Sequence, residues 1–257
     1  MKHNILLAFS FSKRDFKERY VGMGLGQFWF ILHPMIMIAI YSIIFSGLMK
    51  MKNGIIDHSY TYSVYIVPGI IAWTAFSTII NRQHNIFTAR AGLIKKISVP
   101  AYTYQLSIVI TEMAILFLSM FLGILFLLLV DYPISFNFLW LIPIMILQVL
   151  FSFGFGVILS LFSPFIKDLK VVVPIMLQLW FWMTPIIYMK EITTSKYPWI
   201  LTYNPFYHYV HLYQDIFVYS KAPSMESLLT IFIISIVTIL IAAYLYKKMV
   251  GTIKDII

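Results

Sequence analysis

Between Thr103 and Val130 the only charged residue is Glu112. A helix of that length outreaches the ~30 Å hydrocarbon core of a bilayer. Similar apolar runs recur at about 27–49, 62–80, 138–162, 171–188 and 228–246. Composition agrees: 61% of residues are hydrophobic and 11% charged, more apolar surface than a soluble domain hides. The expected fold class is therefore an all-α membrane protein, one transmembrane domain over 1–257 with six spans.

Charge placement sets the topology. With both termini cytoplasmic, the inner segments hold Lys2, Lys13, Arg14, Lys17, Arg19, Arg82, Arg90, Lys95, Lys96, Lys167, Lys170, Lys247, Lys248 and Lys254. Only Lys50, Lys52, Lys190, Lys196 and Lys221 fall outside. That asymmetry is what the positive-inside rule demands. It also reads the net charge of +9 as orientation in a membrane, with no nucleic acid as partner. A seventh crossing at Tyr197–Tyr219 would throw the C-terminal lysines outside and is rejected. With no cysteine there is no disulfide framework and no thiolate metal site. Charges from Lys13 to Arg19 interrupt the first segment, so it does not read as a cleavable signal.

Residues 4–20 read as an interface helix. Ile5, Phe9, Ser12, Phe16 and Tyr20 share a narrow face, with Lys13, Arg14, Lys17 and Glu18 around the other side. Leu7 and Phe11 fall on the polar side of that pattern. The segment is a docking helix or a basic flank that orients the first span. Gly22, Gly24 and Gly26 then permit a bend. They are no nucleotide loop, since no strand precedes them and no Gly-Lys-Ser/Thr follows. His33-Pro34 predicts a kink in the first span. Trp29, His33, Met37 and Tyr41 recur every fourth residue, a stripe that drifts by about 40° per step and serves either packing or a pore.

Residues 81–102 form a polar, basic stretch with a short helical pattern at Ile86–Lys96. Residues 189–225 are rich in aromatics and broken at Asn204-Pro205. Two short helices re-entering one leaflet fit that segment, because proline interrupts the backbone ladder. The fifth span carries a face of Lys170, Pro174, Gln178, Phe181, Pro185 and Tyr188, which suits a conduit better than an ion-selective filter. The aromatics around it are belt anchors, or flat faces for sugar rings.

No catalytic set emerges. Glu112 is the one acid clearly inside a span; it is a functional carboxylate or a structural hydrogen bond to a neighbouring helix. His208, His211 and Asp215 can share a helical face, a possible but weak metal spacing; the reading assigns no metal. A Walker A lysine loop is also missing, so any ATP would be hydrolysed by another chain.

Several motifs together resemble one family. They are R-D-F-K-E-R-Y-x-x-x-x-L-G-x-F-W at Arg14–Trp29 followed by His33-Pro34, G-L-I-K-K-I-S-V-P at Gly92–Pro100, F-x-K-D-L at Phe165–Leu169, T-P-I-I-Y at Thr184–Tyr188 and Y-N-P at Tyr203–Pro205. The chain resembles the membrane subunit of type-2 ABC polysaccharide exporters, the Wzm-like permease of O-antigen export. It departs in having Lys167 where the family often has Arg, and Gly24 where a small hydroxyl residue is common.

The resemblance implies a homodimer in the bacterial inner membrane with two copies of a cytoplasmic ABC ATPase, which would bind the ATP and Mg. It implies no cofactor in this chain. Coupling to the ATPase would fall on Arg14, Asp15, Lys17, Arg19, Ile94, Lys95 and Lys96. Trp29, His33, Met37, Tyr41, Gln178, Phe181, Trp182 and Tyr188 would line a channel from both copies. Tyr203, Asn204, Pro205 and Tyr207 would gate its outer end. The cargo would be a lipid-linked polysaccharide, O-antigen first, with capsule or teichoic acid as alternatives. Two other classes compete: a membrane enzyme on lipid-linked sugars using Glu112, His208, His211 and Asp215, and a proton-driven carrier depending on Glu112.

Overall fold

The computed structural model describes residues 2–19, 21–48, 60–96, 100–190 and 198–256. Tyr20, the polar loop through residue 59, residues 97–99 of the Gly92–Pro100 motif and residues 191–197 of the re-entrant region lie outside the described residues.

Among the described residues every regular element is a helix. In chain order they are α1 (Lys2–Glu18), α2 (Trp29–Leu48), α3 (Thr61–Gln83), α4 (Ile86–Ala89), α5 (Ala91–Lys96), α6 (Ala101–Leu129), α7 (Leu141–Phe162), α8 (Leu169–Met183), α9 (Pro198–Tyr203), α10 (Tyr207–Tyr219) and α11 (Met225–Ile256). Short 3-10 turns at Gly26–Phe28 and Phe136–Trp140 lead into α2 and α7. Five stretches are long and apolar enough to cross a bilayer: Gly26–Ile44, Thr61–Gln83, Ala101–Leu129, Phe136–Phe162 and Met225–Ile253. The protein is thus an all-α membrane protein.

α3 is the central post, buried along nearly its whole length and packed against α2, α6, α7 and α10. α7 and α11 form the most extensive helix pair. Gly154 makes it possible, because a Cβ there would sit 3.0 Å from the Thr238 backbone. A smaller core of Ile86, Phe87, Ile94, Tyr104, Leu161 and Ile253 gathers α4, α5 and the ends of α6, α7 and α11 at the end of the bundle that carries α1.

The fifth expected span departs from the sequence reading. α8 has 15 residues, about 22 Å of helix, and stops at Met183 instead of reaching Tyr188. Pro185 is the cause. It disfavours helical backbone at the preceding residue, and Thr184 is extended, with φ −103° and ψ 126°. The chain runs on without helix through Tyr188, and side chains satisfy its carbonyls. Tyr62 donates to the Ile187 carbonyl, Tyr65 reaches those of Pro185 and Tyr188 at 3.3 and 3.2 Å, and Gln214 reaches Pro185 at 3.1 Å. Non-helical backbone at membrane depth requires such partners.

Candidate functional site

Two polar centres interrupt the apolar bundle. The first ties α1 to the spans. α1 lies along α6, with the Phe11 and Tyr104 rings stacked at 5.0 Å, Ser12 Oγ 2.9 Å from Thr111 Oγ1, and Asn4 donating to the Tyr102 hydroxyl at 2.7 Å. Ala8 and Ser12 are buried, whereas Ile5 and Phe9 are exposed. The expected face through Ile5, Phe9, Ser12 and Phe16 is thus divided between the bundle and the outside. An interface helix has two apolar partners. Ile5 and Phe9 are turned away from the bundle, while Ser12 of the same stripe and Phe11 meet α6 and Phe16 packs on Phe30.

At the end of that helix, four charges pair. Arg82 Nη2 is 2.5 Å from Asp15 Oδ1, Arg82 Nη1 is 2.6 Å from Glu112 Oε1, and Arg19 also donates to Glu112. The Glu112 carboxylate is 3% exposed, and the two arginines supply the countercharge that a buried carboxylate requires. Arg82 was absent from the expected site residues, although a lone acid inside a span calls for a cation on a neighbouring helix end. Asp15 and Arg19, expected to meet a partner, are turned inward and engaged in this junction. Arg14 pairs with Glu18 at 2.6 Å on the open side of α1, where Lys17 is also exposed. Arg14 keeps its proton beyond the ordinary arginine range because Glu18 hydrogen-bonds and attracts it.

The expected Ile86–Lys96 helix is two short ones, divided at Arg90, whose guanidinium lies 5.7 Å from the Tyr104 ring centre. Ile94 is buried in the core at the α1 end. It therefore anchors α5 to that core. Lys95 and Lys96 fall in the last turn of α5.

The second centre is Asn204, between α9 and α10. Its Oδ1 accepts from Trp180 Nε1 at 2.8 Å and from the backbone N–H of Phe206 and Tyr207 at 3.1 and 3.3 Å. Its Nδ2 donates to Thr184 Oγ1 at 2.9 Å and to the Met183 carbonyl at 3.4 Å. One buried amide thus closes the turn before Pro205 and fastens it to the frayed end of α8. The turn is deep: Phe206 stacks on Phe76 at 4.3 Å, and Phe76 lies about 22 Å of helix beyond Thr61. From there α10 runs to the end of the bundle opposite α1. Tyr132 donates to the Val218 carbonyl at 3.0 Å and Asn137 to that of Ser220 at 2.7 Å. Tyr203 is exposed and Tyr207 half-buried.

The residues expected to line a channel fall into separate groups. On α2, His33 and Met37 border a cleft of about 190 Å³ floored by Arg19 and Glu112, while Trp29 and Tyr41 are half-buried. On α8, Val173 and Leu177 pack inward and Gln178 and Trp182 point outward. Phe181 turns back against Trp73 at 5.6 Å, and Tyr188, beyond the helix, donates to the Trp182 carbonyl at 2.9 Å. The face expected from Lys170 to Tyr188 is therefore not one helical stripe. A mostly apolar groove of about 550 Å³ opens between α7, α8 and α9.

His211 Nδ1 lies 3.4 Å from Asp215 Oδ1, and His208 faces the Thr202 carbonyl. Among the described residues no group of three or more His, Asp or Glu side chains could hold a metal.

The sequence profile of ABC-2 type transporters matches residues 7–218, most of the chain. The chain belongs to the ABC-2 type transporter family. Among its relatives is an O-antigen export system permease protein RfbA of Klebsiella pneumoniae, 30% identical over 85% of this chain and 84% of the relative. RfbA of Myxococcus xanthus is 24% identical over 94% and 92%. The polysialic acid transport protein KpsM of Escherichia coli is 25% identical over 91% and 90%. The matched region runs from within α1 to the last turn of α10 and includes Asp15, Arg19, Arg82, Glu112 and Asn204.

Proposed function

We propose that this chain is the permease subunit of an ATP-driven exporter that moves lipid-linked polysaccharide through a passage built by two copies. The observation that carries the reading is a polar side chain on the open face of each of two helices, α2 and α8. Each lies at membrane depth with a broad open face, marked by His33 on one and Gln178 on the other. A second copy would close those faces around a passage. Names of the relatives supply the cargo class, with an O-antigen-type polymer first and a capsule-type polymer second.

In this reading the α1 end is cytoplasmic. The exposed edge of α1 at Arg14 and Lys17, with Lys95 and Lys96 on α5, receives the ATPase. Asp15, Arg19 and Arg82 pass its movement to α3 and α6. Glu112 is committed to two arginines, which removes the acid that a proton-driven carrier would need. The separation of Glu112 from the α10 histidines leaves a membrane enzyme without a converging set.

The test is reconstitution with the partner ATPase and lipid-linked polymer. Export is expected to require both chains and ATP, and to fall at least tenfold in Lys95→Ala with Lys96→Ala while the complex stays assembled, the loss of roughly 1.4 kcal/mol of coupling. ATP hydrolysis indifferent to this chain, with export intact in the double variant, overturns it.

A further inference from the structure

α10 is packed on all sides but one. Tyr209, Tyr213, Ile216 and Phe217 are buried against the spans. Outside them, positions 207, 208, 211 and 215 are three or four apart and so share a face, which ends in the exposed Tyr219. They are Tyr, His, His and Asp, all half-buried. The Tyr207 ring lies parallel to the His211 imidazole at 5.6 Å and 6°, and His211 meets Asp215. Lys190 and Lys221 lie near His211.

Lipid is the wrong neighbour for such a face, since an imidazole–carboxylate pair is costly in hydrocarbon. Nor does packing explain it, because the other faces already bind the helix into the bundle. A polar face that starts at the deep Asn204 turn and climbs about 12 Å towards the bundle end from Tyr207 to Asp215 fits the wall of an aqueous passage. Its chemistry fits sugar. A stacked phenol and imidazole offer a flat surface to the C–H face of a pyranose, and the carboxylate and His208 can bond its hydroxyls.

We infer that Tyr207, His208, His211 and Asp215 form a saccharide-contacting subsite, touched by the polymer as it leaves past the re-entrant helices. This rests on the exporter reading above.

The chain has no cysteine, so a single introduced thiol reports alone. In cells making the polymer and the full exporter, His208→Cys and, separately, Asp215→Cys are treated with a membrane-impermeant maleimide. Met145→Cys, in the core, is the unlabelled control. Both subsite thiols are expected to label. Labelling should slow about tenfold while polymer is being exported, the protection given by cargo near ten times its Kd. Tyr207→Ala should cut export about fivefold, with Tyr207→Phe close to the parent, as loss of a ring contact predicts. No labelling, labelling indifferent to cargo, or disulfide pairing between copies at Asp215→Cys overturns the subsite. If the parent chain itself exports nothing, the exporter reading falls with it; parent export with unprotected thiols sinks the subsite alone.

Discussion

Arg82 and Glu112 meet at 2.6 Å, on helices thirty residues apart in sequence, and the same guanidinium holds Asp15 of α1. One side chain therefore joins the interface helix to two spans. Removing it leaves Asp15 without its ion pair and Glu112, 3% exposed, with Arg19 alone. Arg82→Ala is expected to cost about 3 kcal/mol, more than Arg19→Ala, which leaves both carboxylates paired with Arg82. Glu112→Gln keeps an acceptor without the charge, so the Arg82→Ala/Glu112→Gln pair should cost at least about 1 kcal/mol less than the sum of its parts. Thermal unfolding of the four proteins in one detergent checks this; strict additivity would show that the two residues do not act as a unit.

The Asn204 amide makes five hydrogen bonds outside any helix ladder, joining Trp180, Thr184, Met183, Phe206 and Tyr207. Asn204→Ala should destabilise by about 2–3 kcal/mol, since several buried groups lose partners together. Trp180→Phe, which removes one donor, should cost about 1 kcal/mol. Asn204→Asp is expected to be worse than Ala, because a carboxylate would face the Met183 carbonyl. Unfolding midpoints rank the three, and an Asp variant as stable as the parent would contradict the assigned amide orientation.

How much of this was legible follows from the range of each signal. Local chemistry could be read. Pro185 and Asn204-Pro205 break the backbone wherever they fall, so a broken segment after α8 was visible, even though the stop at Met183 came five residues early. Long apolar runs announced their helices in the same way. Pairings across sequence could not be read. Nothing adjacent to Glu112 marks Arg82 as its partner, and nothing adjacent to Asp15 marks it as inward-facing. α1 shows a third limit. A periodic pattern finds the apolar stripe but not which apolar medium it meets, so Ile5 and Phe9 were legible and their direction was not. Ile94 shows the same limit: next to Lys95 and Lys96 it reads as part of a basic surface, and the core it joins is built from other helices.

Glycines separate by what lies opposite them. At Gly154 an added Cβ would stand 3.0 Å from the Thr238 backbone, which cannot rotate away. Gly154→Ala should push α7 from α11 and cost about 1–3 kcal/mol. At Gly123 the nearest atoms are Ile71 and Phe217 side-chain ends at 3.4 and 3.5 Å, ordinary contact. Gly123→Ala is expected to be neutral or slightly stabilising, since alanine favours helix by about 1 kcal/mol. Comparable losses at both positions would mean that the α7–α11 approach is not the tight one.

The two faces of α1 make opposite predictions. Ala8 is fully buried towards the bundle, so Ala8→Leu must displace the helix or its neighbours and should lower the unfolding midpoint by an overpacking cost of about 1–3 kcal/mol. Phe9 is 56% exposed on the other side. Phe9→Ala should shift the midpoint in detergent by less than about 0.5 kcal/mol, the range of a surface change. Its effect belongs to the bilayer, where a large apolar side chain at the interface contributes to membrane binding. Amide exchange across residues 2–18 in lipid nanodiscs should therefore rise in Phe9→Ala and in Ile5→Ala, with exchange in α3 and α6 unchanged. In Ala8→Leu it should rise in α1 and in the first turns of α6 together, because those two helices share the displaced contact. Exchange that rises for Phe9→Ala in detergent as much as in nanodiscs would place that ring against protein instead of lipid and reverse the assignment of the faces.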